Sequence, residues 1–144
     1  MRFKIPVLST MIIGLLIPFA SFGADPADPI KKLLYPPDLI MKYRTELNLN
    51  EQQENIIREE LRETQTLVFD IRWQMKDEGE RLAQLLQSMP VDEAEVLSQA
   101  DKVMSLEQQV KLTHLAMLVR LKNMMNDTQL AQLAEYRELW TPGE

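Results

Sequence analysis

From Asn50 to Met89 the chain repeats apolar residues at alternating spacings of four and three. Ile57, Leu61, Val68, Ile71, Met75, Leu82, Leu85 and Met89 form the row, with Thr64 and Glu78 filling its gaps. That period places them on one face of one long helix. Between Glu51 and Ser88 there is one glycine and no proline to interrupt it; at about 1.5 Å per residue the segment spans on the order of 57 Å. A stripe of that length needs an equally long partner beside it. Asp92 to Met125 supplies one: Val96, Val103, Val110, Met117 and Met124 recur every seven residues, flanked by Leu97, Ala100, Met104, Leu118, Leu121 and Met125. In its last half this second helix also carries Leu112, Leu115, Ala116 and Val119 off the stripe, so either a closing helix or a second subunit is needed to cover them.

Helix boundaries are written in the polar residues. Asn50 can cap the first turn while Gln53, three residues on, reaches back to the Asn50 amide. Asp92 with Glu95, and Asn126 with Gln129, repeat the arrangement. Met89-Pro90 ends the first long helix, and the short connection through Val91 predicts an antiparallel helical hairpin. A short helix after Asp38, built on Leu39, Ile40 and Tyr43 and ending near Leu47, precedes the hairpin. A closing helix from Asp127 to about Trp140 follows it. The expected fold is all-α.

The first residues read differently. Arg2 and Lys4 precede a mostly apolar run from Ile5 to Ala20, and Ser21-Phe22-Gly23 offers small residues before a cut at Ala24. This predicts a cleaved export leader over residues 1–23, with an uncleaved membrane anchor as the alternative. Prolines 26, 29, 36 and 37 make residues 24–37 an irregular, weakly packed arm. The four-helix domain is then expected over 38–140, with a tail at 141–144.

The 144 residues suit one domain and carry a formal charge of -6; without Arg2 and Lys4 the charge is -8. Such a balance argues against a dedicated nucleic-acid partner, which needs a basic footprint. Cysteine is absent, which excludes disulfides and thiolate metal sites. An exported, disulfide-free domain points to the periplasm. No nucleophile paired with a base, no glycine-rich phosphate loop and no HExxH occurs, so the residues give no sign of an enzyme or of a cofactor.

Three features remain. Phe69 and Trp73, one turn apart, fall at heptad positions b and f when Val68 and Ile71 are a and d, away from the seam. They are either covered by a terminal helix or a second subunit, or they form an apolar patch that touches partners. Seven methionines lie beyond the leader, five of them on the expected buried stripes, so core filling is favoured over a surface that adapts to clients; Met117 is also expected among the client contacts. His114, the sole histidine, is expected on the apolar stripe of the second long helix. At helical spacing only Met117 could join it on a metal, so a core role is favoured over a ligand.

Leu49-Asn50-Glu51-Gln52-Gln53 and Met125-Asn126-Asp127-Thr128-Gln129, opening the first long and the last helix, resemble the paired LTxxQ motifs of the Spy/CpxP family of periplasmic proteins. The zinc-linked ZraP and the CnrX-type metal sensors are related to it. Asn50 and Asn126 stand where the family pattern has Thr, and Met125 where it has Leu. The resemblance runs from about Leu39 to Leu139. It implies a long hairpin with short terminal helices, paired antiparallel into a curved homodimer. In function it implies an ATP-independent chaperone or envelope-stress protein that shields non-native envelope proteins; the client surface expected for this chain, read from its own residues, is Phe69, Trp73 and Met117. The alternative it implies is a sensory or regulatory subunit that reads metal or envelope stress and acts through a membrane partner. The metal branches use several histidines, where this chain has His114.

Overall fold

A computed structural model of the chain describes residues 32–140. The expected leader, residues 24–31 of the arm and the tail lie outside the described residues. Four helices follow in order, named here α1 (Pro37–Lys42), α2 (Glu51–Leu86), α3 (Glu93–Asn123) and α4 (Asp127–Leu139). No strand occurs among the described residues.

Each long helix begins where its capping residue stands. At α2 the Gln53 amide N–H donates to Asn50 Oδ1 at 2.8 Å, and the Asn50 N–H donates to Gln53 Oε1 at 3.2 Å. At α4 the same box closes between Asn126 and Gln129, at 2.9 and 3.0 Å. At α3 only half of the expected box forms. The Glu95 N–H donates to Asp92 Oδ1 at 3.0 Å, and Glu95 makes no return bond, so one fewer amide is satisfied by a side chain at the exposed hairpin tip. The first helix is shorter than its sequence pattern predicts. It ends at Lys42, and the chain turns to Asn48, whose φ of 49° is a left-handed conformation that asparagine tolerates better than most residues.

Two polar contacts fix the antiparallel register of α2 and α3. Arg120 Nε donates to Glu60 Oε2 at 2.7 Å near the base of the hairpin. Toward the tip, Gln99 Nε2 donates to the Glu78 carboxylate at 2.5 Å and to the Glu78 carbonyl at 2.9 Å. The predicted α2 stripe is the buried one, through Ile57, Thr64, Val68 and Ile71. Thr64 Oγ1 is buried in that seam with no hydrogen-bond partner.

The α3 seam departs from expectation. The heptad row from Val96 to Met117 does face α2, but the line beside it runs through Gln99, Leu106 and Thr113, all buried or half-buried. Leu97 and Met104, expected to flank the buried stripe, are about 60 % exposed. His114 is exposed as well, because it is displaced by about 100° from Thr113 around the helix. Met89 is not in a stripe at all; it lies past the end of α2 and is 96 % exposed.

The densest packing sits at the base, where α1, the start of α2, the end of α3 and α4 meet. Leu39, Ile40, Leu47, Ile57, Leu121 and Leu133 are essentially inaccessible there. Part of the arm joins them, contrary to the weak packing its prolines suggest. Tyr35 is buried, its hydroxyl donates to the Leu130 carbonyl at 3.2 Å, and Arg137 lies 4.1 Å from its ring centre. Arg137 also donates to the Lys32 and Leu34 carbonyls, the latter at 2.6 Å. Tyr43 and Tyr136 stack at 4.2 Å across the α1–α4 contact.

Candidate functional site

Among the described residues the two resemblance motifs are brought together. Gln53 Nε2 donates to Gln129 Oε1 at 3.0 Å and Gln129 Nε2 donates to Gln53 Oε1 at 3.2 Å. The remaining hydrogen of each amide goes to a carbonyl at the end of a neighbouring segment. Gln53 takes Met124 O at 3.1 Å, and Gln129, itself buried, takes Leu47 O at 3.2 Å. Each oxygen accepts a second bond from its own helix-capping amide, so both side chains use their full capacity of two donors and two acceptor sites. Leu49 is half-buried and Met125 buried against the same core. These residues therefore staple two helix starts to the base. The sequence shows the two boxes; that they close on each other needs the fold.

Phe69 and Trp73 lie on the outer side of α2, 60 % and 52 % exposed. Neither α1 nor α4 covers them. Their rings meet edge to face at 6.0 Å with an interplanar angle of 74°, a favourable aromatic arrangement, and Lys76 Nζ stands 5.5 Å from the Trp73 ring centre. The Lys76 ammonium is hydrogen-bonded to Glu80, which raises its pKa above the ordinary lysine value. About two turns before Phe69, Arg62 pairs with Glu59 at 2.5 Å; the bond lowers the carboxyl pKa and raises that of the guanidinium.

A second apolar surface runs along the outside of α3. Leu112, Leu115 and Val119 are exposed, and α4 leaves them so. Of the two covers expected for this side, the closing helix does not provide one. Leu86, Met89 and Val91 form a third exposed group at the hairpin tip. Met117, expected on the client surface, is only 5 % exposed and belongs to the base core, so the outward apolar residues do not include it. On one flank of the hairpin a shallow groove of about 350 Å³ is lined mainly by polar side chains such as Gln74, Lys102, Ser105 and Gln109.

No group of three or more His, Asp or Glu side chains able to hold a metal occurs among the described residues. None of their helices is long and apolar enough to cross a membrane. His114 stands on the exposed side of α3 with Val110, Lys111, Met117 and Leu118 at helical spacing.

What these parts make is an all-α hairpin protein, its two long helices packed along their length and apolar residues left on their outer sides. A family model described as heavy-metal resistance matches residues 10–132, and the chain belongs to that family. It is not an enzyme family, and its helical fold is Spy/CpxP-like. No curated protein and no solved structure matches the chain.

Proposed function

We propose that the protein is a periplasmic, ATP-independent chaperone or envelope-stress protein that shields apolar segments of non-native proteins. The observation that carries this reading is the Phe69–Trp73 pair, more than half exposed on the outer side of α2. Two large aromatics held together outside a core form a ready apolar contact for a client side chain. The exposed α3 residues extend the same chemistry, and the flexible thioether of Met104 adapts to irregular partners. Export behind the 1–23 leader, and an antiparallel curved homodimer, belong to this reading.

The test is light scattering of a denatured protein diluted into buffer with chelator and no nucleotide, with and without a stoichiometric amount of the protein as purified from expressing cells. Suppressed aggregation that is lost in the Phe69→Ala, Trp73→Ala double variant is expected. Unchanged scattering, or full protection by the variant, overturns the assignment.

The heavy-metal resistance family favours one other reading, a sensory or regulatory subunit acting through a membrane partner. It requires that His114→Ala or a chelator alter a metal response while passive protection is absent.

A further inference from the structure

The outer side of α3 carries an apolar stripe of its own. With successive residues about 100° apart around a helix, Leu97, Met104, Leu112, Leu115 and Val119 fall in one sector about 80° wide that points away from α2, and all five are exposed. From Leu97 to Lys122 that sector holds only three polar residues, Asp101, Gln108 and Lys122. The stripe runs for about 38 Å, long enough for a second helix to lie along it. The opposite edge of the hairpin is unlike it: on the outer side of α2, Glu59, Arg62, Asp77 and Glu80 stand around the aromatic pair. Charge also changes along α3 from end to end. From Asp92 to Glu107 there are five acidic residues and one lysine; from Gln108 to Asn126 there is no acidic residue, and Lys111, Arg120 and Lys122 stand there. Arg120 is engaged by Glu60 within the hairpin. Asp101 and Lys122, on the stripe itself, have no ion-pair partner among the described residues.

We propose that two copies of this chain join through the outer sides of their α3 helices, packed antiparallel. The polarity of the helix selects both the occupant and its direction. A parallel pair sets Asp101 beside Asp101 and Lys122 beside Lys122, whereas an antiparallel pair sets the acidic end of each stripe against the acid-free end of the other. With the two-fold axis at the height midway between Gln108 and Leu112, Met104 comes level with the partner's Leu115, and Asp101 lies within one turn of the partner's Lys122. The same surface is used on both copies, so the contact closes at two. This inference rests on the homodimer of the proposed function and assigns that dimer its face. It also divides the apolar surface by state: the α3 residues, open to clients on a single copy, are covered in the pair, while Phe69 and Trp73 stay open on its two outer edges.

The chain has no cysteine, so a single introduced thiol reports the interface in the protein as purified from expressing cells. Treated with a short bis-maleimide at low micromolar concentration, Gln108→Cys, beside the axis, is converted to a covalent pair of copies, and Thr66→Cys, on the outer side of α2, is not. Sedimentation velocity then tests the charges, with helix content checked by circular dichroism. Asp101→Lys and Lys122→Glu each weaken pairing about tenfold by facing like charges across the contact, and the two together in one chain restore it. Linking through Thr66→Cys, none through Gln108→Cys, or a double swap that pairs no better than the single ones overturns the proposal. So does a protein that sediments as one copy throughout. Neither readout depends on client protection: a protein that pairs this way without suppressing aggregation sinks the proposed function alone, and one that suppresses aggregation while linking through another face sinks this inference alone.

Discussion

Replacing Gln129 by leucine removes the most connected polar side chain in the base. Its amide makes four contacts, to the Leu47 carbonyl, to both polar atoms of Gln53 and to the Asn126 amide. Two of these partners can turn to water: Asn126 is exposed and Gln53 is half-buried. The Leu47 carbonyl is less free, since Leu47 is only 2 % exposed, and Gln53 is left with half of its satisfied capacity. At a net value of about 1 kcal/mol for each bond that water does not replace, plus the desolvation cost of an orphaned acceptor, the loss is about 2–3 kcal/mol. In a domain of this size that lowers Tm by about 10 °C. Urea unfolding followed by far-ultraviolet circular dichroism measures it as a lower midpoint at unchanged slope. Gln53→Leu and the double variant complete a cycle with a coupling of about 1–2 kcal/mol, because the second glutamine has already lost its partner once the first is gone. A single-variant cost below about 0.5 kcal/mol, or simple additivity, would refute the reading of the two glutamines as one staple.

Asp92→Ala removes a single exposed cap bond and costs about 0.5–1 kcal/mol in the same unfolding assay. Leu133→Ala, in the base core, costs about 2–5 kcal/mol, whereas Leu112→Ala on the exposed side of α3 changes stability by less than about 0.5 kcal/mol. Arg62→Gln removes the hydrogen bond that holds the Glu59 carboxyl below its ordinary pKa, so the Glu59 midpoint rises in an NMR pH titration. The sign follows from the lowered folded value: the contribution of this pair to stability is present above the ordinary carboxylate pKa and is lost as pH falls through the folded one.

The helix starts were legible because capping is local chemistry. Asn50, Asp92 and Asn126 each satisfy amides within three residues, and no tertiary information is needed to see it. The α2 stripe was legible for a similar reason, as one uninterrupted repeat with polar residues elsewhere. The α3 seam was less so. That helix carries apolar residues on two opposite sides, and periodicity alone does not say which side meets α2. Gln99 and Thr113 occupy the seam while Leu97 and Leu112 stay outside, and the choice is made by what stands opposite: Glu78 receives Gln99. His114 was misplaced by the same ambiguity, and Met89 because α2 ends at Leu86, before the position to which its row of apolar residues extends. The role of Tyr35 and Arg137 had no sequence signal, because their contact joins residues about a hundred positions apart.

The concentration of fully buried side chains at one end of the hairpin separates two properties that usually change together. Leu39, Ile40, Leu47, Leu121 and Leu133 would keep their neighbours if matching seven-residue blocks were added to or removed from both arms between Met75 and Val103. Each such block alters the span by about 10 Å while preserving the side-chain period. The reach of the hairpin is therefore adjustable in steps by paired insertions, and selection can set it to the size of whatever lies alongside without redesigning the end that folds it.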